Sequence, residues 1–554
     1  MDVSKVAYHH PKPWDMPIAK LSVPDMFARS VAASPDAPLA EFMGRTFSYR
    51  QIHAQARHFA AALQAMGYKK GDRIGLFLPN VPAYIAAYYG AMIAGATVVN
   101  FSPLYSVDEL AHQVEDSGTQ LLVTLDVASL LPTALEVLEK SSLERLVVTR
   151  LSEALPTVKG VALRLLGRKQ LAPIPKRDDV LRWADIVTHG EPLKISIDPE
   201  ADIALLQYTG GTTGTPKGAM LSHANLTANA QQVDGLDPFE DRDVILGVLP
   251  FFHVFANTCV LNRTVLKRGC ISMLPRFDAK DALKTIDRVK PTSFPGVPTM
   301  YQALLDHERI GKTDFSSLKV CISGGAALSA PTRENFEAVS GARVVEGYGL
   351  TESSGVVSAN PYVGARQPGT IGQVLPGTLV RLLDKEDPTR PAPDGEPGEL
   401  IVNGPQVMQG YWNRPEADKD VFVELDGERW LRTGDIAVIG EDGFIQIVDR
   451  SKDMISVGGF KVFPSQVENV LVDHPAVKEA LVIGMPEDYR GEVPRAFVTL
   501  NEGSEIAAQD IAKWLNERIG KHQRVDKVVI REELPKTMIG KLDRKALRAE
   551  VIDD

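Results

Sequence analysis

Residues 208–221, YTGGTTGTPKGAML, combine small hydroxyl side chains, glycines and a single lysine. Glycines let backbone N–H groups approach phosphate oxygens closely, hydroxyls add donors, and Lys217 adds a positive charge. The segment therefore predicts a phosphate-binding loop. It is not a P-loop, because Lys217 follows Pro216 and precedes Gly218 instead of standing in Gly-Lys-Ser/Thr. It is not a dinucleotide fingerprint, since Pro216 separates the glycines from the next helix, and the HRD and DFG motifs of protein kinases are absent.

Alternating helix and strand signals surround this loop. The segment 204–208 (ALLQY) predicts the strand before it, and 225–233 (NLTANAQQV) predicts a helix after it. A capping box at Ser48 and Gln51 predicts the start of a helix that ends at Gly67. Further strands are predicted at 73–78, 97–101, 121–125 and 146–150. This alternation is typical of an α/β fold in which helices cover parallel sheets.

Composition narrows the class of protein. The chain has 554 residues, 44% of them hydrophobic and 24% charged, as in soluble globular proteins, and its length predicts several packed units. The net charge of −10 argues against binding to nucleic acid, which needs a basic surface. Three cysteines are too few for a disulfide framework, and the N-terminus lacks the apolar core of a signal peptide, so we expect a cytoplasmic protein.

Two segments could contact a membrane. Residues 74–107 carry no charge and are long enough to span a bilayer, but prolines and glycines interrupt them. We expect a strand, a helix and a strand in the core there. Residues 154–177 carry six basic and no acidic side chains, with apolar Val161, Leu165 and Leu166 in helical spacing. Two interpretations stay open for this second segment: a solvated surface insertion, or a weak contact with an anionic membrane surface.

Motifs spread over nearly the whole chain resemble one family. The string YTGGTTGTPKG is similar to the phosphate-binding signature of the adenylate-forming superfamily, which comprises acyl-CoA synthetases, peptide-synthetase adenylation domains and luciferases. The other family motifs follow in order: LPFFHVFA (249–256), SGGAAL (323–328), EGYGLTE (346–352), LRTGDIA (431–437), IVDRSKDMISVGGFKVFP (447–464) and PKTMIGKLDR (535–544). Residues 426–453 further resemble the signature of bacterial long-chain fatty-acid–CoA ligases.

The resemblance implies a fold and a reaction. The fold is α/β, with a large N-terminal domain (1–448) of parallel and mixed sheets flanked by helices and a small β-barrel-like subdomain. A hinge (449–450) and a small mobile α+β C-terminal domain (451–554) follow. In the implied reaction a carboxylate attacks the α-phosphate of ATP and gives acyl-AMP and pyrophosphate, with Mg²⁺ as metal cofactor. The thiolate of CoA then attacks the acyl carbon, and AMP leaves.

The resemblance also assigns residues to ATP. Phosphate binding falls to Thr209, Gly210, Gly211, Thr212, Thr213, Gly214 and Lys217. Nucleoside binding falls to Gly324, Gly325, Ala326, Gly347, Tyr348, Asp435, Ile447 and Arg450. In this second set, Tyr348 offers a flat face to adenine. Asp435 and Arg450 suit the two ribose hydroxyls, because a carboxylate accepts and a guanidinium donates hydrogen bonds.

Four residues match catalytic positions of the family. Lys541, in PKTMIGKLDR, is similar to the catalytic lysine, whose ammonium would bridge the acyl carboxylate and the α-phosphate during adenylation. Thr351 would donate to the α-phosphate, and Glu352 is a hard oxygen ligand suited to Mg²⁺. His253 is expected at the mouth of the acyl pocket. The apolar channel beside it would be lined by Phe251, Phe252 and Phe255.

The two half-reactions require the small domain to move, because Lys541 must leave before CoA can reach the acyl-AMP. Asp449 matches the hinge position, where a few residues absorb the rotation. The tunnel for the pantetheine arm of CoA would be lined by Gly458, Gly459 and Phe460. Luciferases carry a lysine where this chain has Ser456, which argues against light-producing oxidation.

Several functions stay open at this point. The leading hypothesis is a medium- to long-chain fatty-acid–CoA ligase. An aryl- or dicarboxylic-acid–CoA ligase, or a fatty-acyl-AMP ligase that hands its product to a carrier protein, would use the same fold. A non-enzymatic acyl-nucleotide-binding protein is disfavoured by the intact Glu352, Asp435, Arg450 and Lys541. The resemblance also allows a homodimer and a lysine acetyltransferase that modifies Lys541.

Overall fold

The structure is a computed structural model, which describes residues 7–209, 216–239, 242–384, 387, 389–393, 395–457, 460–487, 489–537 and 541–552. The α-helices are α1 (Val23–Ala33), α2 (Tyr49–Ala65), α3 (Pro82–Ile93), α4 (Val107–Ser117), α5 (Leu131–Lys140), α6 (Leu151–Ala154), α7 (Thr157–Leu166), α8 (Trp183–Ile186), α9 (His223–Asp234), α10 (Val254–Ala256), α11 (Arg263–Lys267), α12 (Ala279–Val289), α13 (Pro298–Leu305), α14 (Ala330–Ser340), α15 (Pro415–Val421), α16 (Pro464–Val472), α17 (Ala508–Asn516) and α18 (Arg544–Ile552).

The strands are β1 (Pro38–Phe42), β2 (Arg45–Ser48), β3 (Arg73–Leu76), β4 (Thr97–Asn100), β5 (Thr119–Leu125), β6 (Arg145–Thr149), β7 (Val180–Arg182), β8 (Ile203–Thr209), β9 (Lys217–Ser222), β10 (Val244–Gly247), β11 (Cys270–Met273), β12 (Ser293–Gly296), β13 (Val320–Gly324), β14 (Arg343–Tyr348), β15 (Ser358–Ala359), β16 (Gln373–Val374), β17 (Leu379–Leu383), β18 (Gly398–Asn403), β19 (Gly410–Tyr411), β20 (Phe422–Leu425), β21 (Glu428–Ile439), β22 (Ile445–Arg450), β23 (Ile455–Val457), β24 (Phe460–Val462), β25 (Val477–Glu487), β26 (Gly491–Leu500) and β27 (Val528–Ile530).

The predicted phosphate loop belongs to an eight-stranded sheet with the order β19-β9-β8-β4-β3-β5-β6-β7. Strands β8, β4, β3, β5, β6 and β7 run parallel, and β9 and β19 continue the sheet antiparallel. The four strands predicted from apolar runs correspond to β3, β4, β5 and β6. Strand β9 was not predicted, because its polar start KG gives no strand signal. The predicted loop therefore lies between two antiparallel strands, β8 and β9, and helix α9 begins directly after β9.

Helix α3 accounts for the uncharged segment 74–107. Pro82 begins it, where the missing proline N–H would have no helical partner in any case. Every residue of α3 from Pro82 to Met92 is buried. The hydroxyl of Tyr84 donates to the amide oxygen of Asn100 at 2.8 Å, so its polar end is satisfied in the core. This confirms the strand–helix–strand prediction, and none of the helices in the described ranges is long and apolar enough to cross a membrane.

A second sheet places two of the motifs side by side. Its order is β16-β15-β14-β13-β12-β10-β11-β1-β2, and the strands from β14 to β1 run parallel. Strand β13 ends at Gly324, which pairs with Gly347 near the end of β14. In α/β folds, ligands bind where parallel strands end at their carboxyl side. The segments SGGAAL and EGYGLTE therefore meet at the edge of the sheet where a site is expected.

A third, antiparallel sheet contains β17, β18, β21 and β20, with β22 paired to β21. Its register sets Asp435 of β21 opposite Arg450 of β22. Asp435 and Arg450, which are far apart in the sequence, are therefore neighbours on adjacent strands of this sheet. This sheet corresponds to the small β subdomain that the resemblance implies.

The strands after residue 454 form a separate mixed sheet, in the order β24-β23-β26-β25 with β27 parallel to β26. Helices α16 and α17 pack on it through Val467, Leu471, Ile511 and Leu515. The α/β class and the small α+β unit at the C-terminal end of the chain are therefore confirmed. The domain limits at residues 448 and 451 stay a prediction.

Candidate functional site

The base of the phosphate loop is held by Lys217 and Tyr411. Thr209 pairs with Lys217 at the point where β8 and β9 separate. The ammonium of Lys217 lies 5.2 Å from the centroid of the Tyr411 ring, a distance typical of a cation–π contact. Strand β19 positions Tyr411, which pairs with Ala219. The tip residues Gly210, Gly211, Thr212, Thr213 and Gly214 lie outside the described residues.

Tyr411 also contacts Glu352. Its hydroxyl donates to Oε1 of Glu352 at 2.6 Å. Burial, with the neighbouring carboxylate, raises the pKa of Tyr411, so the hydroxyl keeps its proton and remains a donor. Thr351 and Glu352 begin a 3₁₀ turn, which two residues separate from the end of β14, and Thr351 is half-exposed there. Tyr411 thus joins the loop lysine to the predicted metal ligand, a link that the motifs did not reveal.

Tyr348, Asp435 and Arg450 form one connected group. The hydroxyl of Tyr348 donates to Oδ2 of Asp435. The guanidinium Nε of Arg450 lies 3.2 Å from Oδ1 of Asp435. Burial raises the pKa of Asp435, and the positive charge of Arg450 opposes that shift. The structure therefore brings together the three side chains that the sequence assigned to the nucleoside.

Lys541 reaches this group from the C-terminal unit. A Cβ atom built on Gly325 would lie 2.7 Å from Cε and 3.2 Å from Nζ of Lys541. Gly325 also has φ +86°, in the region that favours glycine. The base of the lysine loop is closed by two hydrogen bonds, because the Thr537 N–H donates to the Lys541 carbonyl at 2.6 Å and the Lys541 N–H donates to Oγ1 of Thr537 at 3.1 Å. The ammonium therefore lies at the carboxyl end of β13.

The charge of Lys541 is sensitive to its surroundings. Burial and the positive charge of Arg450 lower the pKa of its amine to about 8, and Asp435 partly offsets them. At neutral pH the amine is mostly protonated. An anionic ligand beside it would favour the charged form further.

His253 is a neutral imidazole beside this lysine. Burial, together with the charge of Lys541, lowers the pKa of His253 to about 4. Its Nδ1 accepts a hydrogen bond from the Phe255 N–H at 3.3 Å, so the proton of the neutral ring is assigned to Nε2. His253 therefore offers one N–H donor and no charge. A carboxylic acid oxygen is a suitable acceptor for it.

The three phenylalanines around His253 have different environments. Phe251 is fully buried, and its ring centroid lies 5.3 Å from that of Tyr84. Phe252 is half-buried, and its carbonyl accepts from the Gln207 amide at 2.8 Å. Phe255 is half-buried and faces Gly324, where an added Cβ would lie 3.0 Å from its ring. Of the three, Phe255 is the one that contacts the strand end near Lys541.

The remaining nucleoside residues lie around the same edge. Gly324 is buried, whereas Gly325 and Ala326 are exposed just beyond β13. Ile447 of β22 packs in the same apolar cluster as Tyr348. Gly458 and Gly459 lie outside the described residues. Phe460 is the first residue of β24, and its backbone pairs with Val457.

Asp449 uses both oxygens of its carboxylate. Oδ1 accepts from the Arg450 N–H at 2.8 Å, and Oδ2 accepts from the Ser465 N–H at 2.7 Å, in the first turn of α16. The side chain is only 3% exposed, and burial raises its pKa. Asp449 therefore ties the end of β22 to the C-terminal unit, in addition to matching the family's hinge position.

Arg544 extends this connection to the lysine loop. Its guanidinium donates to Oδ2 of Asp453 at 2.6 Å and to both oxygens of Glu468 at 2.7 and 2.8 Å. It also lies 3.9 Å from Oδ1 of Asp449. Because Arg544 is three residues after Lys541, it anchors the lysine segment to the residues around the hinge. The sequence offered one signal for this role, the arginine at the end of GKLDR.

Replacing Gly325 with alanine should reduce adenylation strongly. The new methyl group would occupy the space of the Lys541 side chain and displace its ammonium. A displacement of about 1 Å at a reacting centre can lower the rate ~10²-fold. The rate of acid-dependent pyrophosphate release measures the effect. Gly341→Ala is the matched control, since Gly341 has φ +68° but no atom within 4 Å of an added Cβ. Equal losses in both variants would show that backbone strain, and not the lysine contact, is responsible.

Raising the pH through about 8 should reduce adenylation. Lys541 is charged below its pKa of about 8 and loses that charge above it. Thus kcat/KM for ATP should fall about tenfold per pH unit on the alkaline side, since this parameter reports the free enzyme. His253, with its pKa of about 4, stays neutral throughout this range. Pyrophosphate release, measured while circular dichroism confirms the fold, tests this. A profile that stays flat well above pH 8 would contradict it.

Comparison with known proteins identifies the family to which this chain belongs. The family model described as AMP-binding enzyme matches residues 27–412, and that of the AMP-binding enzyme C-terminal domain matches residues 466–541. A long-chain-fatty-acid–CoA ligase of Bacillus subtilis is 39% identical to this chain. The matched region covers 98% of this chain and 97% of that enzyme.

Two solved enzymes share the fold. ATP-bound MatB from Rhodopseudomonas palustris has a TM-score of 0.83 and 29% identity, with 96% of this chain and all of that chain covered. Apo MatB has a lower TM-score of 0.74, with 28% identity and the same coverage. The anthranilate CoA ligase AuaEII in complex with anthranoyl-AMP has a TM-score of 0.83 and 26% identity, with 97% of this chain and 98% of that chain covered.

Proposed function

Because the chain belongs to the family of AMP-binding enzymes and is an ATP-dependent acid–CoA ligase, we propose that its acid is a medium- to long-chain fatty acid. The Bacillus subtilis relative, which is named for long-chain fatty acids, supports this choice over nearly the full chain. The half-buried Phe255 beside the strand end supports an apolar acyl chain at this place.

The position of Lys541 carries the proposed mechanism. Its ammonium lies against Gly325 and within electrostatic reach of Asp435 and Arg450. This placement suits the adenylation step, in which negative charge collects on the acyl carboxylate and the α-phosphate. The higher TM-score with ATP-bound than with apo MatB supports the same assignment.

In the first step, a carboxylate oxygen attacks the α-phosphorus, the bond to the β-phosphate bridging oxygen breaks, and pyrophosphate leaves. Lys541 stabilises the charge on the attacking and α-phosphate oxygens. His253 donates its Nε2–H to the acid, and Thr351 donates to the α-phosphate. Asp435 accepts from the ribose hydroxyls, with Arg450 as a second contact and the Tyr348 ring along adenine. Phosphoryl transfer depends mainly on such positioning and charge neutralisation.

The phosphate loop receives the pyrophosphate. Thr209 and Lys217, which pair across the end of the hairpin, would hold its oxygens together with the tip residues. Lys217 keeps its position through Tyr411, so its charge is oriented before ATP binds.

Glu352 fits a magnesium ion held together with phosphates. Mg²⁺ in such sites uses one or two carboxylates and substrate phosphates instead of a cage of protein ligands. In the described ranges, no cluster of three or more His, Cys, Asp or Glu side chains could hold a metal ion. The Tyr411 hydrogen bond orients the Glu352 carboxylate for this role. When bound, Mg²⁺ would neutralise phosphate charge.

In the second step, the CoA thiolate attacks the acyl carbon and AMP leaves with its phosphate. The C-terminal unit first turns about Asp449 and withdraws Lys541. Gly458, Gly459 and Phe460 then line the path of the pantetheine arm. The half-buried pairing of Arg544 with Glu468 and Asp453 keeps the lysine segment attached to this unit as it turns.

A panel of acids tests the proposed substrate. AMP formation in the presence of CoA is measured with saturated fatty acids from hexanoate to stearate, with benzoate and anthranilate, and with malonate. We expect the highest kcat/KM for a medium- or long-chain fatty acid. A preference for an aryl acid, as the AuaEII similarity would allow, or for a dicarboxylic acid would overturn the substrate proposal. Acyl-AMP that accumulates without transfer to CoA would point to a fatty-acyl-AMP ligase.

The proposal also includes a modification of Lys541, a cellular location and an oligomeric state. Acetylation of Lys541 by a lysine acetyltransferase would remove the charge that adenylation uses, and its amine pKa of about 8 favours reaction with an acetyl donor. Because Lys541 is half-buried against Gly325, we expect modification in the withdrawn arrangement. A cytoplasmic location agrees with three cysteines that are free and buried. A homodimer stays a prediction from the family resemblance.

A further inference from the structure

Helix α7 has its apolar side turned toward solvent. Its inner side packs closely on α6, because a Cβ atom on Gly160 would lie only 2.5 Å from the Ser152 carbonyl oxygen. Its outer side carries large apolar side chains that are mostly exposed: Val158 (82%), Val161 (49%), Leu165 (62%) and Leu166 (89%). Spacings of three, four, seven and eight residues place these four on one helical face. Amphipathic helices of soluble domains normally bury such a face.

Basic side chains flank this apolar face. Lys159, Arg168 and Lys169 are exposed, and the whole stretch 154–177 carries six basic and no acidic residues in a chain of net charge −10. Lys159 belongs to α7, and its ammonium donates to the Met43 carbonyl, between β1 and β2, at 2.8 Å. An outward apolar stripe with basic flanks is the pattern of helices that lie in the plane of a membrane interface.

A cleft of about 420 Å³ opens next to α7, and three arginines line it. They are Arg150, Arg164 and Arg168, with Asp126 and Ser152 on the same wall. The carboxylate of Asp126 accepts a hydrogen bond from the Leu151 N–H at 2.8 Å. The hydroxyl of Ser152 accepts one from Nε of Arg164 at 2.8 Å.

The arginines of this cleft are only partly neutralised. Glu153 lies 4.0 Å from both Arg150 and Arg164, whereas Arg168 has no ion pair with any residue that the structure describes. With Asp126 and Glu153 counted against three guanidinium groups, the cleft keeps a positive charge. Guanidinium groups bind phosphate oxygens through paired hydrogen bonds.

We propose that α7 and this cleft form a docking surface for a bilayer that contains anionic phospholipids. The four apolar side chains enter between the headgroups, and the arginines hold a lipid phosphate. Charge complementarity favours this occupant, because the face joins a local excess of positive charge to an apolar stripe. The purpose of this docking surface rests on the proposed function. A medium- or long-chain fatty acid partitions into the bilayer, and the docked enzyme would take it from there.

Vesicle binding tests the surface. Co-sedimentation of the full chain is measured with phosphatidylcholine vesicles, with and without phosphatidylglycerol. We expect binding only when phosphatidylglycerol is present, and weaker binding at high salt. Leu165→Glu/Leu166→Glu should reduce affinity more than tenfold, and Arg168→Glu should reduce it about fivefold or more, as expected from ~1 kcal/mol per basic side chain near an anionic surface. Leu193→Glu is the control, because Leu193 is 73% exposed outside this surface.

The outcomes separate this proposal from its competitors. If the wild-type chain does not bind phosphatidylglycerol vesicles, or if the α7 variants bind as well as the wild type, the proposal is wrong. A dimer that the Leu165/Leu166 variant converts to a monomer, with no vesicle binding, would assign the face to a second copy of the chain. The α7 variants should retain wild-type activity on a soluble short-chain acid, so that a failure of the proposed activity and a failure of docking are observed separately.

Discussion

Lys541→Ala should lower the rate of acyl-AMP formation by ~10²–10³-fold, the usual cost of removing a preorganised charge at a reacting centre. The ammonium lies at the carboxyl end of β13, beside Gly325 and near the Asp435–Arg450 pair. The loss should appear mainly in kcat, because Lys541 stabilises charge that develops in the transition state. Single-turnover formation of acyl-AMP, measured without CoA, gives this rate.

The same variant should form acyl-CoA from supplied acyl-AMP at close to the wild-type rate. In the proposed mechanism, Lys541 is withdrawn during this second step. Lys536→Ala is the matched control, since Lys536 lies in the same segment but its ammonium contacts Glu479 at 2.7 Å. If Lys541→Ala slowed both half-reactions equally, the lysine would have a structural role and not the proposed one.

Asp449→Pro should have the opposite effect. Proline fixes φ near −65° and prevents the backbone rotation that a hinge requires. We expect adenylation to continue, while transfer to CoA falls by ~10²-fold or more, as for other losses of geometric alignment. Acyl-AMP should then accumulate on the enzyme after ATP and acid are added, even with CoA present. Rapid quenching followed by separation of acyl-AMP from acyl-CoA measures both steps.

A second variant is needed, because Asp449 also accepts hydrogen bonds from two backbone N–H groups. Proline at this position would also remove the carboxylate that accepts from the N–H groups of Arg450 and Ser465. Asp449→Ala removes the carboxylate and leaves the backbone free to rotate. If alanine impaired CoA transfer as severely as proline, the contacts of the carboxylate, and not hinge rotation, would explain the loss. Normal transfer in the proline variant would refute the hinge assignment.

Local signals in the sequence predicted much of the fold. Buried parallel strands read as apolar runs, which located β3, β4, β5 and β6, and the capping box located the start of α2. Strand β9 was missed because its pairing with β8 is set by tertiary contacts and its first residues are polar. The sequence also did not predict that the apolar face of α7 points outward. Periodicity shows that an apolar stripe exists, but not whether it faces the core or the solvent.

The candidate site was predictable where a motif carries the chemistry. Tyr348, Asp435 and Arg450 were assigned from separate motifs, and the structure places them in one hydrogen-bonded group. Tyr411 and Arg544 were missed, because their roles depend on partners distant in sequence. Tyr411 reaches Glu352 only through the antiparallel pairing of β19 with β9, and Arg544 reaches Glu468 only through the packing of the C-terminal unit.

The central claim is that this chain makes an acyl-adenylate with Lys541 before CoA takes part. Exchange of labelled pyrophosphate into ATP tests it most directly. We predict exchange that requires a fatty acid, proceeds without CoA, and falls by ~10²–10³-fold in Lys541→Ala. Exchange that requires CoA, or that persists undiminished in Lys541→Ala, would contradict the account.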